Sequence, residues 1–474
     1  MSPLQVGRLK LWSGRASLAT VGPITDAFGR FLRTFILSQF LAPDEFGTAI
    51  AITVVNLIAE LVTDFGLENF VITKTGPDSR RAMAAAHVIQ VVRGGMIGII
   101  LAMISPWVAA FFGVPDNAPA FAWAGLLPFF RGFVHIGVKQ RQQEFDYSPD
   151  ALVLISAALS AVVGTFLAAW WLRNHNAVLI GYGAEALAIA GASQLLARKP
   201  FECRADAEML RAAMRWGLPL TLNGIGMAMI AQADRLVVGR LFGIEALGNY
   251  AVIVNLVLVP LAALIRIVNG LTIPLLVKNK DDSVRFKNTK IWMTWGFCLA
   301  GFCCATGCGL LLDILVPLLF GQAYSVSPGM RIFVSLTLFA RLHRISSSIG
   351  LLVGGRTGTI MLANSVSVLG VAMQIGLAFL IPDVASVMAG CFIGDAALLG
   401  VMLAIDFRAM PEHRRSLWRC VVATILGAIV IGGAAWALPG RDLLDRTLYA
   451  LACMPPAMLM AAGLWRRWRF RETG

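Results

Sequence analysis

The stretch TDAFGRFLRTFILSQFLAPDEFG, residues 25–47, is a long apolar run that contains the charged side chains of Asp26, Arg30 and Arg33. The whole chain is similarly apolar: of its 474 residues, 58% are hydrophobic and 14% are charged, and its mean hydropathy is +0.74. Soluble domains carry roughly 25% charged residues. The stretch therefore predicts a membrane-spanning helix, and the composition predicts a polytopic membrane protein.

Apolar windows of about 20 residues, enough to cross a bilayer as a helix, recur along the chain. Lipid offers no hydrogen-bond partner to the backbone, and these runs are too long for barrel strands, so we expect helices throughout. The predicted spans are 16–40, 46–72, 82–112, 118–138, 150–171, 177–197, 213–239, 246–277, 290–320, 329–353, 358–380, 383–405, 418–438 and 446–465. The predicted fold is an all-α polytopic membrane protein of about 14 transmembrane helices.

The net charge of +13 is distributed unevenly along the chain. Lys and Arg collect in alternate loops, about 27 on one side of the predicted membrane and about 5 on the other, which is the positive-inside pattern. This pattern predicts a multi-pass protein of the bacterial inner membrane with both termini in the cytoplasm. Anionic lipid headgroups, and not nucleic acid, are the expected partners of the basic loops. The first span is interrupted by charge and lacks a cleavage site, so we expect it to be retained.

An internal repeat divides the chain. FLAPDEFGTAIAITVVNLI (40–58) is similar to LFGIEALGNYAVIVNLVLV (241–259), at an offset of 201 residues that aligns Gly47 with Gly248. Such a repeat predicts two pseudo-symmetric six-helix lobes, 1–200 and 201–410, followed by two extra helices and a basic tail in 411–474.

The chain has 8 cysteines, of which Cys298, Cys303, Cys304 and Cys308 share one predicted span. Because none lies in a predicted outer loop, we expect no disulfide framework. Small apolar packing residues are the favoured interpretation, and we expect no metal site. A buried metal cluster is the alternative.

The charges of the opening stretch are spaced i, i+4 and i+7, which puts them on one helix face. A charge at the bilayer centre costs on the order of 2.5–3.5 kcal/mol, so this face must look into protein or water. Asp26 is expected to pair with Arg30. Arg33 has no partner on its own helix, and it either reaches the interface or contacts an anion.

Other polar side chains fall inside predicted spans and are candidates to line a central cavity. Guanidinium groups bind phosphate through a two-pronged fork, which suits an anionic substrate. The candidate substrate contacts are Arg30, Arg33, Arg93, Arg131, Arg266 and Arg341, and the candidate supporting or ion-coupling residues are Asp26, Asp64, Glu68, Asp234, Asn255, Asn269 and His135. Glu185, Asp313 and Asp395 stand as lone acids. For each residue, a structural ion pair or an interfacial side chain is the alternative.

Two blocks resemble a known family. The first block, LSQFLAPDEFGTAIAITVVNLIAELVTDFGLENFVI (37–72), is similar to the opening of the Wzx-like oligosaccharide and polysaccharide flippases. The shared features are a first helix that contains arginine, an L-x-P-x-E-F-G turn, and a D-F-G-L motif at the end of the second helix. WGLPLTLNGIGMAMIAQADRLVVGRLFGIEALGNYAV (216–252) resembles the start of the second half of that family. The multidrug/oligosaccharidyl-lipid/polysaccharide exporter superfamily also contains lipid II flippases and multidrug extruders.

The resemblance implies a non-enzymatic flippase that turns a polyprenyl-diphosphate-linked oligosaccharide to the periplasmic leaflet by alternating access, for exopolysaccharide, capsule or O-antigen synthesis. It implies a cationic central cavity in which Arg30 or Arg33 and Arg266 correspond to the family's cavity arginines. It implies no cofactor, with H⁺ or Na⁺ coupling through Asp26, Asp64 or Glu68 left open. The resemblance also implies that the protein is a monomer. Its implied protein partners are a glycan polymerase and chain-length proteins.

Three alternatives remain. A lipid II flippase shares the chemistry of the substrate, whereas a multidrug or cation antiporter would favour acids and aromatic residues over arginine. A membrane-embedded glycan polymerase or ligase belongs to a different class and is disfavoured, because the longest predicted outer loop is only about ten residues and no nucleotide-binding loop is present.

Overall fold

The computed structural model describes residues 3–62, 65–74, 77–144, 146–204, 207–279, 281–438 and 443–472. All regular secondary structure in these ranges is helical, so the predicted all-α class is confirmed. The chain forms two compact units, Met1–Val252 and Ile253–Gly474. The lobe boundaries derived from the repeat stay a prediction.

The first unit is built from ten helices and the start of an eleventh, within the residues described. They are α1 (Pro3–Phe40), α2 (Pro43–Val62), α3 (Leu67–Thr73), α4 (Pro77–Phe111), α5 (Ala118–Ala124), α6 (Leu126–Arg131), α7 (Gly137–Gln140), α8 (Ser148–Leu172), α9 (Asn176–Leu196), α10 (Ala207–Leu241) and α11 (Ile244–Lys278). Helix α8 packs between α1 and α9, and α4 packs against α5, α6 and α10. This packing brings residues far apart in sequence onto facing helix surfaces.

The second unit continues from α11 with eight further helices in the described ranges. They are α12 (Ser283–Phe320), α13 (Pro328–His343), α14 (Ile345–Val353), α15 (Thr357–Asn364), α16 (Ser367–Leu380), α17 (Val384–Ala409), α18 (Arg414–Ala437) and α19 (Leu443–Glu472). Helix α12 contacts α13, α18 and α19, and α17 packs against α13 and α16. The side chains of Asp282, Ser327 and Asp383 accept hydrogen bonds from the first-turn N–H groups of α12, α13 and α17, which fixes where these helices begin.

Ten helices of the described residues are long and apolar enough to cross a membrane. The predicted count of fourteen therefore stays a prediction. Four predicted spans are interrupted in the described residues. Span 46–72 is divided between α2, which ends at Val62, and α3, which begins at Leu67. Span 118–138 breaks at Gly125 and leaves the helix after Arg131, 329–353 breaks at Arg344, and 358–380 breaks at 365–366. A hydropathy window detects the apolar run but not a break in the helix, because the break changes the backbone conformation and leaves the mean hydropathy of the window the same.

The repeated turn has matching helix boundaries in its two copies. Helices α1 and α10 end at Phe40 and Leu241, and α2 and α11 begin at Pro43 and Ile244, so both pairs are 201 residues apart. A Cβ atom built on Gly47 would lie 2.0 Å from the carbonyl oxygen of Ile244. Glycine at position 47 therefore permits the close approach of α2 to the start of α11.

Candidate functional site

The ten long apolar helices do not include the first, fourth, seventh and tenth predicted spans. Those four spans contain six of the thirteen intramembrane charges singled out above: Asp26, Arg30, Arg33, Arg131, Asp234 and Arg341. In a chain of two six-helix repeats, they would be the first and fourth helices of each repeat. The less apolar spans thus recur at the same positions of the two repeats, as the turn does.

A chain of ion pairs connects four helices of the first unit. Arg33 on α1 pairs with Glu185 on α9, and both side chains are almost fully buried. Arg131 at the end of α6 holds Glu185 with one guanidinium nitrogen at 2.7 Å and Glu60 on α2 with the other at 2.5 Å. The Arg33 guanidinium also lies 4.3 Å from the ring centre of Tyr182. Two cations and two carboxylates therefore neutralise one another inside the unit.

The prediction of lone acids is wrong for all three residues. Glu185 holds two arginines, as described above. Asp313 on α12 lies 3.2 Å from Arg446 on α19 and 3.8 Å from Arg331 on α13, and Asp395 on α17 also has arginine partners. Their partners lie on other helices, which periodicity within a single helix cannot reveal.

Asp26 and Arg30 pair as their i, i+4 spacing predicts, with 2.5 Å between carboxylate oxygen and guanidinium nitrogen. The Arg30 side chain is 48% exposed, in contrast to the buried Arg33 one turn later. A guanidinium group carries five N–H donors, more than one carboxylate contact uses. Of Asp26, Arg30 and Arg33, Arg30 therefore has the most exposed side chain.

In the second unit, two arginines share one carboxylate. The Arg341 Nε atom donates to Asp395 at 2.7 Å, and an Arg344 guanidinium nitrogen lies 3.7 Å from the other Asp395 oxygen. Asp395 is nearly buried, whereas both arginines are partly exposed. Arg341 and Arg344 are three residues apart, so both guanidinium groups lie on one helix face and can reach the same carboxylate.

Two of the candidate supporting residues are held by local contacts within the first unit. Asp234 is buried and accepts a hydrogen bond of 2.8 Å from the hydroxyl group of Tyr250. His135 is buried with its ring 4.7 Å from the ring of His87, and its backbone N–H donates to Ser193 Oγ at 2.8 Å. Both side chains sit in packed positions.

The remaining candidates are scattered. Glu68 on α3 is exposed and lies 3.3 Å from Lys139, while Arg93, Asn255 and Asn269 are half-buried on α4 and α11. The predicted sites at Asp64 and at the side chain of Arg266 lie outside the described part of the chain. The site roles of all these residues stay predictions.

A buried polar cluster of the second unit was missed by the sequence analysis. Lys290 on α12 forms an ion pair with Asp406 on α17, and Ser347 on α14 donates to the other Asp406 oxygen at 2.7 Å. Asp406 has no exposed surface. Lys290 is the first residue of the predicted span 290–320, but the helix already begins at Ser283.

The sequence of this chain is similar to those of known proteins. Residues 36–328, more than half of the chain, match the family described as polysaccharide biosynthesis protein. The lipopolysaccharide biosynthesis protein WzxC of Escherichia coli strain K12 is 21% identical over 347 residues, which cover 72% of this chain and 68% of WzxC.

Two solved structures share the fold. The lipid II flippase MurJ in an inward closed conformation has a TM-score of 0.64 at 11% identity, over 96% of this chain and 99% of MurJ. An inward-facing multidrug resistance MATE family transporter of the MOP superfamily has a TM-score of 0.59 at 13% identity, over 84% and 99%. At these identities the likeness concerns the fold alone. The family match decides the relationship: this chain belongs to the polysaccharide biosynthesis protein family, the Wzx-like flippase group that its two sequence blocks resemble.

Proposed function

We propose that this protein translocates a polyprenyl-diphosphate-linked oligosaccharide from the cytoplasmic to the periplasmic leaflet of the bacterial inner membrane. The product would feed the assembly of a surface polysaccharide. The observation that carries the proposal is membership of the polysaccharide biosynthesis family combined with arginines on helices of reduced hydropathy. Both termini would be cytoplasmic, as the basic loops predict.

The chemistry of the substrate explains why such a protein needs intramembrane arginine. A diphosphate bears negative charge and a glycan binds water strongly, so neither crosses hydrocarbon without polar partners. Guanidinium groups supply paired N–H donors that match phosphate oxygens. The prenyl tail is apolar and can remain in the lipid while the head group moves.

In the first unit, Arg30 is the proposed phosphate contact. Its side chain is exposed and pairs with Asp26 on the same helix, so a phosphate can join the pair without separating packed helices. Arg33 and Arg131 are less suited, because carboxylates from other helices already hold them. Asp26 would position the Arg30 fork.

In the second unit, Arg341 and Arg344 are the proposed phosphate contacts, together with Arg266 from the sequence prediction. Two partly exposed guanidinium groups beside one carboxylate offer donors to an anion. We propose alternating access as the transport mechanism: two states of similar energy exchange, and the bound substrate shifts their populations. Coupling to H⁺ or Na⁺ would use an accessible carboxylate, for which Asp26 and Glu68 are candidates, together with Asp64 from the sequence prediction.

The test is complementation of a strain that lacks this gene. We expect Arg30→Ala and Arg266→Ala each to abolish surface polysaccharide at normal protein level, with lipid-linked oligosaccharide accumulating in the cytoplasmic leaflet. Arg30→Lys keeps the charge but not the fork and should restore export in part. Arg198→Ala, at an exposed arginine paired with Glu144, is the matched control and should export normally. Normal polysaccharide in both alanine variants would overturn the assignment of these arginines.

The same strain separates the alternatives. A lipid II flippase would support growth when the resident lipid II flippase of the cell is depleted, and a multidrug antiporter would raise resistance to cationic drugs. We expect neither effect, and either one without an effect on surface polysaccharide would contradict the proposed function.

A further inference from the structure

Three side chains capable of binding a metal meet in the interior of the second unit. They are Cys298 on α12, His343 at the end of α13 and Cys420 on α18, and all three are buried. One ligand atom from each lies within 4.8 Å of the others. The arrangement differs from the cysteine cluster considered from sequence, because Cys303 and Cys304 on α12 are exposed and do not join it.

The distances suit a tetrahedral ion. Cys420 Sγ lies 3.6 Å from His343 Nε2. Bond lengths of about 2.3 Å to sulfur and about 2.0–2.1 Å to nitrogen at a tetrahedral angle put two such ligand atoms about 3.6 Å apart. The sulfur and nitrogen ligands are thus close to their positions around a shared ion.

The other ring nitrogen of His343 has the partner that a metal-bound histidine needs. Its Nδ1 atom lies 3.2 Å from Thr424 Oγ1, and that hydroxyl donates to the Cys420 carbonyl oxygen at 2.8 Å. When Nδ1 carries the proton and donates to Thr424, Nε2 presents its lone pair toward Cys420. Such an outer hydrogen bond orients a ligating imidazole.

The net charge of the occupied site favours a divalent ion. Cys298 and Cys420 belong to an apolar cluster that also contains Phe302 and Phe339, where a net charge would carry a large desolvation cost. A divalent ion with two thiolates and one neutral imidazole has zero net charge, whereas Cu⁺ with the same ligands would leave a charge of −1. Soft sulfur ligands disfavour Mg²⁺ and Ca²⁺.

We propose that Cys298, His343 and Cys420 bind one Zn²⁺ ion, with Thr424 as the positioning residue that orients His343. A water molecule would take the fourth coordination position. The ion would crosslink α18 to α12 and α13, and would therefore stabilise the packing of the second unit. This site is independent of the proposed transport function.

The experiment uses the full chain, purified in detergent under reducing conditions with its affinity tag removed. We expect about one Zn²⁺ per chain by elemental analysis, and Co²⁺ added to the zinc-free protein should give a thiolate-to-metal absorption band. Cys298→Ser and Cys420→Ser should each lose Zn²⁺ and the band, while Thr424→Val should lower Zn²⁺ affinity by about 10–100-fold. Cys453→Ser is the matched control: this cysteine is buried in the same cluster but lies outside the trio, so its variant should retain the ion.

Zinc-free wild-type protein that binds neither Zn²⁺ nor Co²⁺ would overturn the proposal, as would equal loss of metal in the Cys453→Ser control. If the cysteine variants do not fold, X-ray absorption at the zinc edge of the wild type decides. Two sulfur ligands and one imidazole support the site, and a shell of oxygen and nitrogen alone refutes it.

Discussion

The ion-pair chain of the first unit makes a quantitative prediction for Glu185→Gln. This change keeps the shape of the side chain but removes the carboxylate that Arg33 and Arg131 share. Arg131 retains Glu60 at 2.5 Å, whereas Arg33 loses its ion-pair partner while its side chain is only 8% exposed. Removing one partner of a buried pair costs about 3–5 kcal/mol, and we expect that loss in the free energy of unfolding.

Denaturant titration of the purified protein in mild detergent measures this loss. The double variant Arg33→Met with Glu185→Leu removes both charges of the pair and leaves Arg131 with Glu60. We expect it to be more stable than Glu185→Gln, because replacing a whole buried pair by apolar side chains is often neutral or stabilising. The single variants Arg33→Met and Glu185→Leu, together with this double variant, form a cycle that isolates the coupling of the pair.

The matched control is Glu202→Gln, which removes the carboxylate from an exposed pair with Arg80 in the same unit. Solvent screens that pair, so we expect little change in stability. The reasoning is refuted if Glu185→Gln is as stable as the wild type, or if the double variant is the less stable of the two.

Two further predictions use the same unfolding assay. Gly47→Ala would place a Cβ atom 2.0 Å from the Ile244 carbonyl oxygen and should lower the free energy of unfolding by about 1–3 kcal/mol. Gly95→Ala is the control: no heavy atom lies within 4 Å of the new Cβ, so the change should be neutral or stabilising by about 0.5–1 kcal/mol. A Gly47→Ala variant as stable as Gly95→Ala would contradict the close approach. Lys290→Met leaves the fully buried Asp406 without its cation and should cost about 3–5 kcal/mol, and adding Asp406→Leu should recover part of it. Failure of the second change to recover any stability would argue against this pair.

Features that depend on neighbours in sequence could be predicted. The helical class follows from the length of the apolar runs, and the Asp26–Arg30 pair follows from their i, i+4 spacing. The repeated turn was visible because Gly47 and Gly248 stand at equivalent positions of similar segments, and the helix ends around them are spaced alike. In each case the information lies within one helix or one turn.

Features that depend on which helices face each other could not be predicted. The partners Arg33 and Glu185 are 152 residues apart, and Lys290 and Asp406 are 116 apart. An isolated helix shows only that such a charge must find a partner, because burying it alone is costly. The identity of the partner is decided by packing, as it is for the cysteines and histidine contributed by α12, α13 and α18.

These pairs also rank the arginines as anion ligands. A phosphate that took Arg33 from Glu185 would leave this nearly buried carboxylate with Arg131 as its remaining cation and would break the ion pair that joins α1 to α9. A phosphate that joins Arg30 leaves Asp26 in place, because the guanidinium group has more donors than the carboxylate uses. The sequence shows only that both arginines lie on one helix face. Their different surroundings make Arg33 a structural link between α1 and α9 and favour Arg30 as the proposed substrate contact of that face.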